Sequence, residues 1–186
     1  MSDCTQILVV LNNADPTALT ALGALQRSLG FGERLVDLRR RVLWELHGPP
    51  GEDPEELLQA LMRGGELWNL NKENASVRRP GQSDSSLGPP APGEGNWESF
   101  LAWNPERDLA SVPQALIPFR PRGWRLARGV LWSLCWKDGT ADARSTLSLD
   151  AVVCTGPKQG LLVHPHLEDY RQVAAGSAPP WLPDPS

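Results

Sequence analysis

The 186-residue chain has few of the residues from which chemical sites are built: three cysteines, three histidines and one tyrosine. Cys4, Cys135 and Cys154 are too widely spaced to form metal-ligand pairs, so we expect reduced thiols and a cytoplasmic protein. No apolar stretch approaches the about 20 residues that span a bilayer, and the first residues lack the basic-then-apolar pattern of a secretion signal. We therefore expect no association with a membrane.

Motifs that carry catalysis are missing as well. The sequence has no glycine-rich phosphate loop, no nucleophile elbow and no cluster of metal-binding side chains, and His47 stands alone. The formal net charge is −4 and the isoelectric point about 5.4, which gives no general attraction to nucleic acid. We therefore predict a non-catalytic chain that itself binds no cofactor, no metal and no nucleic acid.

What the sequence does contain is an internal repeat. The run LLVHPHLEDY at 161–170 has a looser counterpart, ELWNLNKENA, at 66–75. A similar apolar core comes before each of them, VLWEL at 42–46 and VLWSL at 130–134, and arginine comes before each core. A repeat indicates one structural unit made twice, and two copies are too few for a solenoid. The sequence therefore predicts a pseudo-dimer within one chain.

The first unit, residues 1–77, begins with a predicted strand and helix. Residues 6–11 are apolar and rich in β-branched side chains, as in a buried strand. Asp15 and Pro16 are a capping residue and a first-turn proline, so they predict the start of a helix, which Gly30 would end. The apolar face of this helix would consist of four leucines at helical spacing: Leu19, Leu22, Leu25 and Leu29.

The rest of the first unit predicts strands around a second helix. Residues 35–46 indicate one long strand, or two strands separated by the arginine run 39–41. A second helix is predicted after the Asp-Pro pair 53–54, with its end at the glycine pair 64–65 and a final short strand ending at residue 77. This order, β-α-β-β-α-β, is the ferredoxin-like arrangement.

The remaining sequence divides at a segment rich in proline, glycine and serine. Residues 78–96 have too little apolar surface to fold, so we interpret them as a linker, and the proline-rich residues 174–186 as a loose tail. Between them lies a divergent second unit, 97–173, with a first helix interrupted by prolines. Its predicted elements are strands at 97–103 and 129–136 and a helix at 142–154. The predicted fold class is α+β, two ferredoxin-like units forming an intramolecular pseudo-dimer.

The order of these motifs resembles the PurS family, the small accessory subunits of phosphoribosylformylglycinamidine synthase. The Asp-Pro helix start of the family is similar to residues 15–16 here, its Leu-Gly-Phe helix end to residues 29–31, and its Val-x-Asp-Val-Arg strand to residues 35–39. The resemblance covers about residues 6–77 and 97–173. It is carried by the order of the motifs in two copies, since each motif alone is short.

The closing motif of the family reads Leu-Leu-Ala-Asn-Pro-apolar-apolar-Glu-x-Tyr. The second unit is similar to it over residues 161–170, with His164 in place of the asparagine. The first unit keeps the asparagine as Asn69, but it has Leu70 in place of the proline and lacks the final tyrosine. The two units therefore resemble different parts of the family pattern.

The resemblance implies a role in purine biosynthesis. The synthase makes formylglycinamidine ribonucleotide from formylglycinamide ribonucleotide, glutamine and ATP, with Mg²⁺. In its split form a synthetase subunit holds ATP and substrate, a glutaminase subunit releases ammonia, and paired PurS-like subunits bridge the two. This chain is thus expected to be a non-catalytic assembly subunit, with the synthetase and glutaminase as partners and with no cofactor of its own. Its tandem copies would replace the pair.

Seven residues are candidates for contact with these partners: Arg39, Arg40, Arg41, Arg128, His164, Pro165 and Tyr170. The arginine run could instead lie on a solvated sheet edge, where charge discourages pairing between sheets. His164 and His166 could instead bind a metal, although no further ligands lie near them in the sequence. Trp44, Trp132 and Trp136 are interpreted as packing residues rather than as a base-stacking platform.

Two other functional classes remain open. A tandem ferredoxin-like module that senses a small ligand, or that scaffolds another complex, fits the same fold. A stand-alone enzyme is the third class, and it lacks any visible nucleophile–base or metal constellation. Capture of the native chain with its partners would separate these classes.

Overall fold

A computed structural model shows an α+β chain built on one antiparallel sheet. The structure describes residues 4–49, 53–65, 67–79, 96–104, 109–111, 124–137, 148–154, 156 and 160–173. Its strands are β1 (Cys4–Leu11), β2 (Leu35–His47), β3 (Glu73–Arg78), β4 (Asn96–Trp103), β5 (Leu109–Ser111), β6 (Arg125–Trp136) and β7 (Asp169–Val173). Its helices are α1 (Pro16–Ser28), a 3-10 turn (Gly32–Arg34), α2 (Glu55–Gly64) and a helical segment at 148–152.

The seven strands form a single sheet in the order β3-β1-β2-β6-β4-β7, and β5 also pairs with β6. All of the pairings are antiparallel. The first and second parts of the chain meet at the centre of the sheet, where β2 pairs with β6 from Leu35 opposite Trp136 to His47 opposite Arg125. The sheet is therefore continuous across both parts.

Strand β2 is one unbroken strand, which is one of the two alternatives that the sequence left open. The arginine run 39–41 lies inside it and pairs with residues 131–133 of β6. A register shift between Leu35 and Asp37 is the irregularity in this ladder. The run does not break the strand because the partner strand satisfies its backbone groups. Between Cys4 and Arg78 the described elements therefore read β-α-β-α-β rather than β-α-β-β-α-β, apart from the 3-10 turn.

The central ladder repeats itself about the pairing of Val42 with Val130. On one side of this pairing Trp44 lies opposite Arg128, and on the other side Arg40 lies opposite Trp132. The two similar apolar cores of the sequence, 42–46 and 130–134, therefore start at the same pairing and run in opposite directions. The ladder has an approximate twofold axis at this point.

The caps of both helices agree with the sequence prediction, but one apolar face does not. Asp15 caps α1 by accepting hydrogen bonds from the backbone N–H groups of Thr17 (2.8 Å) and Ala18 (3.3 Å). The prediction that Leu19 belongs to the buried face of α1 is wrong, since it is 58% exposed. The residues of α1 that are buried against the sheet are Ala18, Ala21 and Leu25, with Leu22 and Leu29 partly buried.

Helix α2 starts and ends close to the predicted positions. Asp53 accepts a hydrogen bond from the backbone N–H of Glu55, and Gly65 ends the helix with a φ of 64°. The buried face consists of Leu57, Leu58 and Leu61. The neighbouring Met62 is 40% exposed.

Both faces of the sheet are buried. Even-numbered residues of β2 from Leu38 to Leu46 point toward the helices, because side chains alternate along a strand. Trp132 and Trp136 are buried in one cluster on this face and Trp44 packs against a neighbouring cluster, which confirms their interpretation as packing residues. On the opposite face Leu8, Leu43, Leu101 and Leu131 form a second apolar cluster with Ala127 and Val173. The core thus has two layers.

The second part of the chain contributes β4, β6 and β7, so the strands predicted at 97–103 and 129–136 are present. Of the helix predicted at 142–154, residues 148–154 are described; 148–152 are helical, whereas Val153 forms a β-bridge with Val163. This segment is fixed to the sheet by a 2.7 Å hydrogen bond from Trp136 Nε1 to Ser148 Oγ. The interrupted first helix, most of the linker 78–96 and the tail 174–186 lie outside the described residues. None of the described helices is long and apolar enough to cross a membrane.

Candidate functional site

The arginine run lies beside a cleft of about 270 Å³. One wall is the connection from β1 to α1, with Asn13, Ala14 and Asp15, and the other wall is β2 over residues 37–41. The interpretation of this run as a sheet edge is wrong, because β2 lies between β1 and β6. The cleft is therefore bordered by strand residues 37–41 and by the start of α1.

Local ion pairs fix two of these arginines. Arg40 Nη1 lies 3.2 Å from Asp15 Oδ2, while the other carboxylate oxygen of Asp15 caps α1. Arg39 Nε lies 3.2 Å from Asp37 Oδ2, and its guanidinium lies 4.4 Å from the ring centroid of Trp97. Because side chains alternate, Arg40 points toward the helices while Arg39 and Arg41 point to the other face. The run is thus divided between the two faces of the sheet.

Arg128 is the counterpart of Arg40 in the central ladder, but it lies outside the cleft. Its guanidinium lies 5.8 Å from the ring centroid of Trp44, the residue opposite it on β2. The structure therefore places Arg39, Arg40 and Arg41 at consecutive positions of β2 on alternating faces, and it separates Arg128 from them by the Val42–Val130 pairing.

The closing motif of the second part forms an exposed loop before β7. Here the backbone N–H groups of Leu167 and Glu168 donate to the carbonyl of His164, each at 2.9 Å. The side chain of Glu168 reaches back, and its Oε2 accepts from the backbone N–H of His164 at 2.8 Å. His164, Pro165 and Tyr170 are all exposed.

The looser motif of the first part forms the same loop before β3. The backbone N–H groups of Lys72 and Glu73 donate to the carbonyl of Asn69, at 2.9 and 2.8 Å. Glu73 Oε2 accepts from the backbone N–H of Asn69 at 2.7 Å. In each copy the two residues before the loop are buried, Leu67 and Trp68 in one and Leu162 and Val163 in the other. The backbone of the loop is kept while its exposed side chains differ.

A second candidate site is a buried polar cluster on the face of the sheet opposite the helices. Its members Cys4, Glu45 and His47 each offer a ligand atom, and these atoms lie within 4.8 Å of one another. Gln6 Nε2 donates to Glu45 Oε1 at 2.8 Å, and His47 Nε2 lies 3.1 Å from Glu45 Oε2. Cys4 pairs with His47 across the strands, and Gln6 pairs with Glu45. Adjacent strands thus bring together residues that are about 40 positions apart.

The corresponding positions in the second part hold a different set of side chains. Glu45 lies three residues after Val42, and Ser133 lies three residues after Val130, its partner on the approximate twofold axis. Ser133 pairs with Ser99, as Glu45 pairs with Gln6, and the two serine hydroxyls are hydrogen-bonded at 2.7 Å. Both serines are buried, and each hydroxyl has the other as its hydrogen-bond partner.

Sequence reasoning missed this cluster because it treated His47 as isolated. A signal was present, since Glu45 lies in the strand predicted at 35–46 and His47, two residues later, points to the same face when the strand continues by one residue. Cys4 could not be added from the sequence, because its proximity depends on the register between β1 and β2.

Compared with known proteins, the chain is matched by no family model, no curated protein and no solved structure.

Proposed function

We propose that this chain is a two-copy, non-catalytic assembly subunit of phosphoribosylformylglycinamidine synthase, which bridges its synthetase and glutaminase subunits. The observation that carries the proposal is the approximate twofold relation between the two parts of the sheet. In this proposal each part descends from one ferredoxin-like unit, and the long strands β2 and β6 each replace the two middle strands of that unit. The pair of small subunits thus becomes one chain.

The strand registers support a repeat that extends beyond the central ladder. On the first side Ile7 pairs with Trp44 and with Val77, and on the second side Phe100 pairs with Trp132 and with Gln172. Trp44 and Trp132 occupy the same place in the two apolar cores. The order β3-β1-β2 is therefore mirrored by β7-β4-β6 with matching registers, as a duplicated unit requires.

The two closing loops support the repeat independently of the strands. Each uses one glutamate, Glu73 or Glu168, to accept from the backbone N–H four residues earlier. Such a reciprocal arrangement depends on a glutamate at a fixed position in an irregular loop. Its presence in both copies agrees with the alignment of Asn69 with His164 that the PurS-like motif implies.

Divergence of the exposed side chains fits a bridging role. In the two loops Leu70 corresponds to Pro165, and in the strands that follow them Ala75 corresponds to Tyr170. The proposed contact surfaces are the arginine cleft in the first part and the loop with His164, Pro165 and Tyr170 in the second part. Covalent linkage lets each copy meet a different large subunit without losing its pairing with the other copy.

Co-purification tests the proposal. The tagged chain, expressed with the synthetase and glutaminase subunits, is expected to recover both, and loss of its gene is expected to cause a purine requirement. Tyr170→Ala removes an exposed aromatic ring and is expected to weaken capture of one subunit about tenfold. Met62→Ala, an exposed residue of α2, is the matched control and should leave capture unchanged. Failure to recover either subunit, with no purine requirement, contradicts the proposal.

The cleft favours a second candidate function, a tandem module that senses a small ligand. An open volume of about 270 Å³ bordered by arginines suits a small anion such as a phosphate or carboxylate ester. This function predicts saturable binding of such an anion that Arg40→Ala weakens, without recovery of the two enzyme subunits. Recovery of both subunits with no such binding favours the assembly role.

A further inference from the structure

The geometry points to a binding site for one divalent metal ion of the zinc class at Cys4, Glu45 and His47. The candidate ligand atoms of the three side chains lie within 4.8 Å of one another, and all three residues are buried. The residues come from two adjacent strands, which fix their backbone positions through the β1–β2 ladder. This site is independent of the proposed assembly role, because it lies away from the arginine cleft and the exposed loops.

The ligand types select the class of metal. A thiolate, an imidazole and a carboxylate are the set that zinc takes in proteins, whereas magnesium and calcium take oxygen ligands. In a tetrahedral zinc site, with bonds of about 2.0–2.3 Å, ligand atoms lie roughly 3.3–3.8 Å apart. The three candidate ligand atoms lie within 4.8 Å of one another, and small rotations of the side chains bring them to this spacing.

An unpartnered ring nitrogen of His47 provides a second observation. When His47 Nε2 donates to the Glu45 carboxylate, the other ring nitrogen, Nδ1, carries a lone pair, and it is buried without a hydrogen-bond partner. Burying such an acceptor unpaired is unfavourable, and coordination of an ion satisfies it. Gln6 Nε2 donates a hydrogen bond to the other carboxylate oxygen of Glu45 at 2.8 Å. Outer-shell hydrogen bonds of this kind orient metal ligands.

The second part of the chain shows that the sheet itself does not require these residues. At the equivalent strand positions Ser99 and Ser133 are hydrogen-bonded to each other, and neither offers an anionic or imidazole ligand to an ion. The pairing of Trp97 with Cys135 takes the place of the pairing of Cys4 with His47. The first part thus contains potential metal ligands at positions where the second part contains two uncharged serines that are hydrogen-bonded to each other.

Burial favours an ion over an organic substrate. Cys4 is 7% exposed, Glu45 0% and His47 4%, so the cluster has little surface at which a larger molecule could bind. The exposed pair His164 and His166, with ring centroids 5.6 Å apart, is the main competing site for zinc among the described residues. A test must therefore separate the two locations.

Metal titration of the purified full chain tests the site. After removal of metal with a chelator, we expect one Zn²⁺ bound per chain by elemental analysis. Co²⁺, used as a probe, should give a thiolate-to-metal charge-transfer band that Cys4→Ser abolishes and Cys154→Ser preserves. Affinity should rise with pH, because Cys4 loses a proton on binding.

A double variant controls for folding. Gln6→Ser with Glu45→Ser copies the Ser99–Ser133 pair, so it should keep the circular dichroism and the cooperative unfolding of the parent. We expect it to weaken zinc binding by at least tenfold. His164→Ala with His166→Ala should leave binding unchanged. The inference is overturned if the parent chain retains no stoichiometric zinc, or if the double serine variant and Cys4→Ser bind it as tightly as the parent.

Discussion

Gly160 is a residue whose backbone leaves no room for a side chain. Its φ is 63°, and a Cβ atom added there would lie 1.7 Å from the carbonyl oxygen of Val153. We expect Gly160→Ala to lower the free energy of unfolding by about 3 kcal/mol or more, because both the strain and the clash must be relieved. Chemical denaturation measures the change.

Gly32 provides the matched control for that substitution. Its φ is 49°, but an added Cβ would meet nothing within 4 Å. Gly32→Ala should therefore cost only the left-handed backbone conformation, about 1–2 kcal/mol. Equal losses in the two variants would show that the contact with Val153 has no effect.

The thiol of Cys135 is predicted to resist ionisation. Burial raises the pKa of Cys135, and the nearby Asp37 carboxylate raises it further. The folded chain therefore holds the thiol proton more tightly than the unfolded chain. The protonated thiol thus adds to the free energy of unfolding, and this contribution is complete below the ordinary thiol pKa. It is lost as the pH rises through the raised pKa. We expect slow alkylation of Cys135 at neutral pH and a faster reaction in Asp37→Asn, measured by mass spectrometry. An unchanged rate in that variant would exclude the charge effect.

At the scale of elements, the two closing loops predict matched energetic effects. Glu73→Ala and Glu168→Ala each remove an acceptor for a backbone N–H group. Each substitution should lower the free energy of unfolding by about 1 kcal/mol, since one hydrogen bond to a charged group is lost. The variants Glu73→Gln and Glu168→Gln keep an acceptor and should recover most of the loss. A large effect in one loop and none in the other would contradict their equivalence.

Elements determined by local chemistry were predictable from the sequence. Asp15 and Pro16 start α1 because a side-chain cap and a first-turn proline act within a few residues. The exposure of Leu19 was not predictable, because a leucine at helical spacing fits several faces and the position of the helix on the sheet chooses among them. The unbroken β2 likewise depends on pairing with β6, a partner almost a hundred residues away.

The candidate sites likewise differ in whether they depend on local sequence or on long-range strand pairing. Exposure of the loop with His164 and Tyr170 follows from its polar, proline-containing sequence. The buried cluster of Cys4 with His47 was not predicted, because only the strand register brings these residues together. Sequence analysis thus identified the repeat, and the structure supplied the contacts that long-range pairing creates.

At the scale of the whole molecule, the continuous sheet predicts that the two parts hold together without a covalent link. A protease site inserted between residues 80 and 95, in the predicted linker, would divide the chain between β3 and β4. We expect the cleaved halves to co-elute in size-exclusion chromatography, because β2 and β6 pair along their whole length and Leu43 packs with Leu131. Unfolding of the cleaved form should depend on protein concentration, and unfolding of the intact chain should not. Separation of the halves at micromolar concentration would contradict this prediction.

The assembly role makes its most direct prediction about the source of nitrogen used by the enzyme. The measurement is formation of formylglycinamidine ribonucleotide by the purified synthetase and glutaminase subunits, with either glutamine or ammonia, in the presence and absence of this chain. If the chain bridges the two subunits, its addition restores the glutamine-dependent reaction and leaves the ammonia-dependent reaction unchanged. A glutamine-dependent rate that does not respond to the chain would contradict the proposed function.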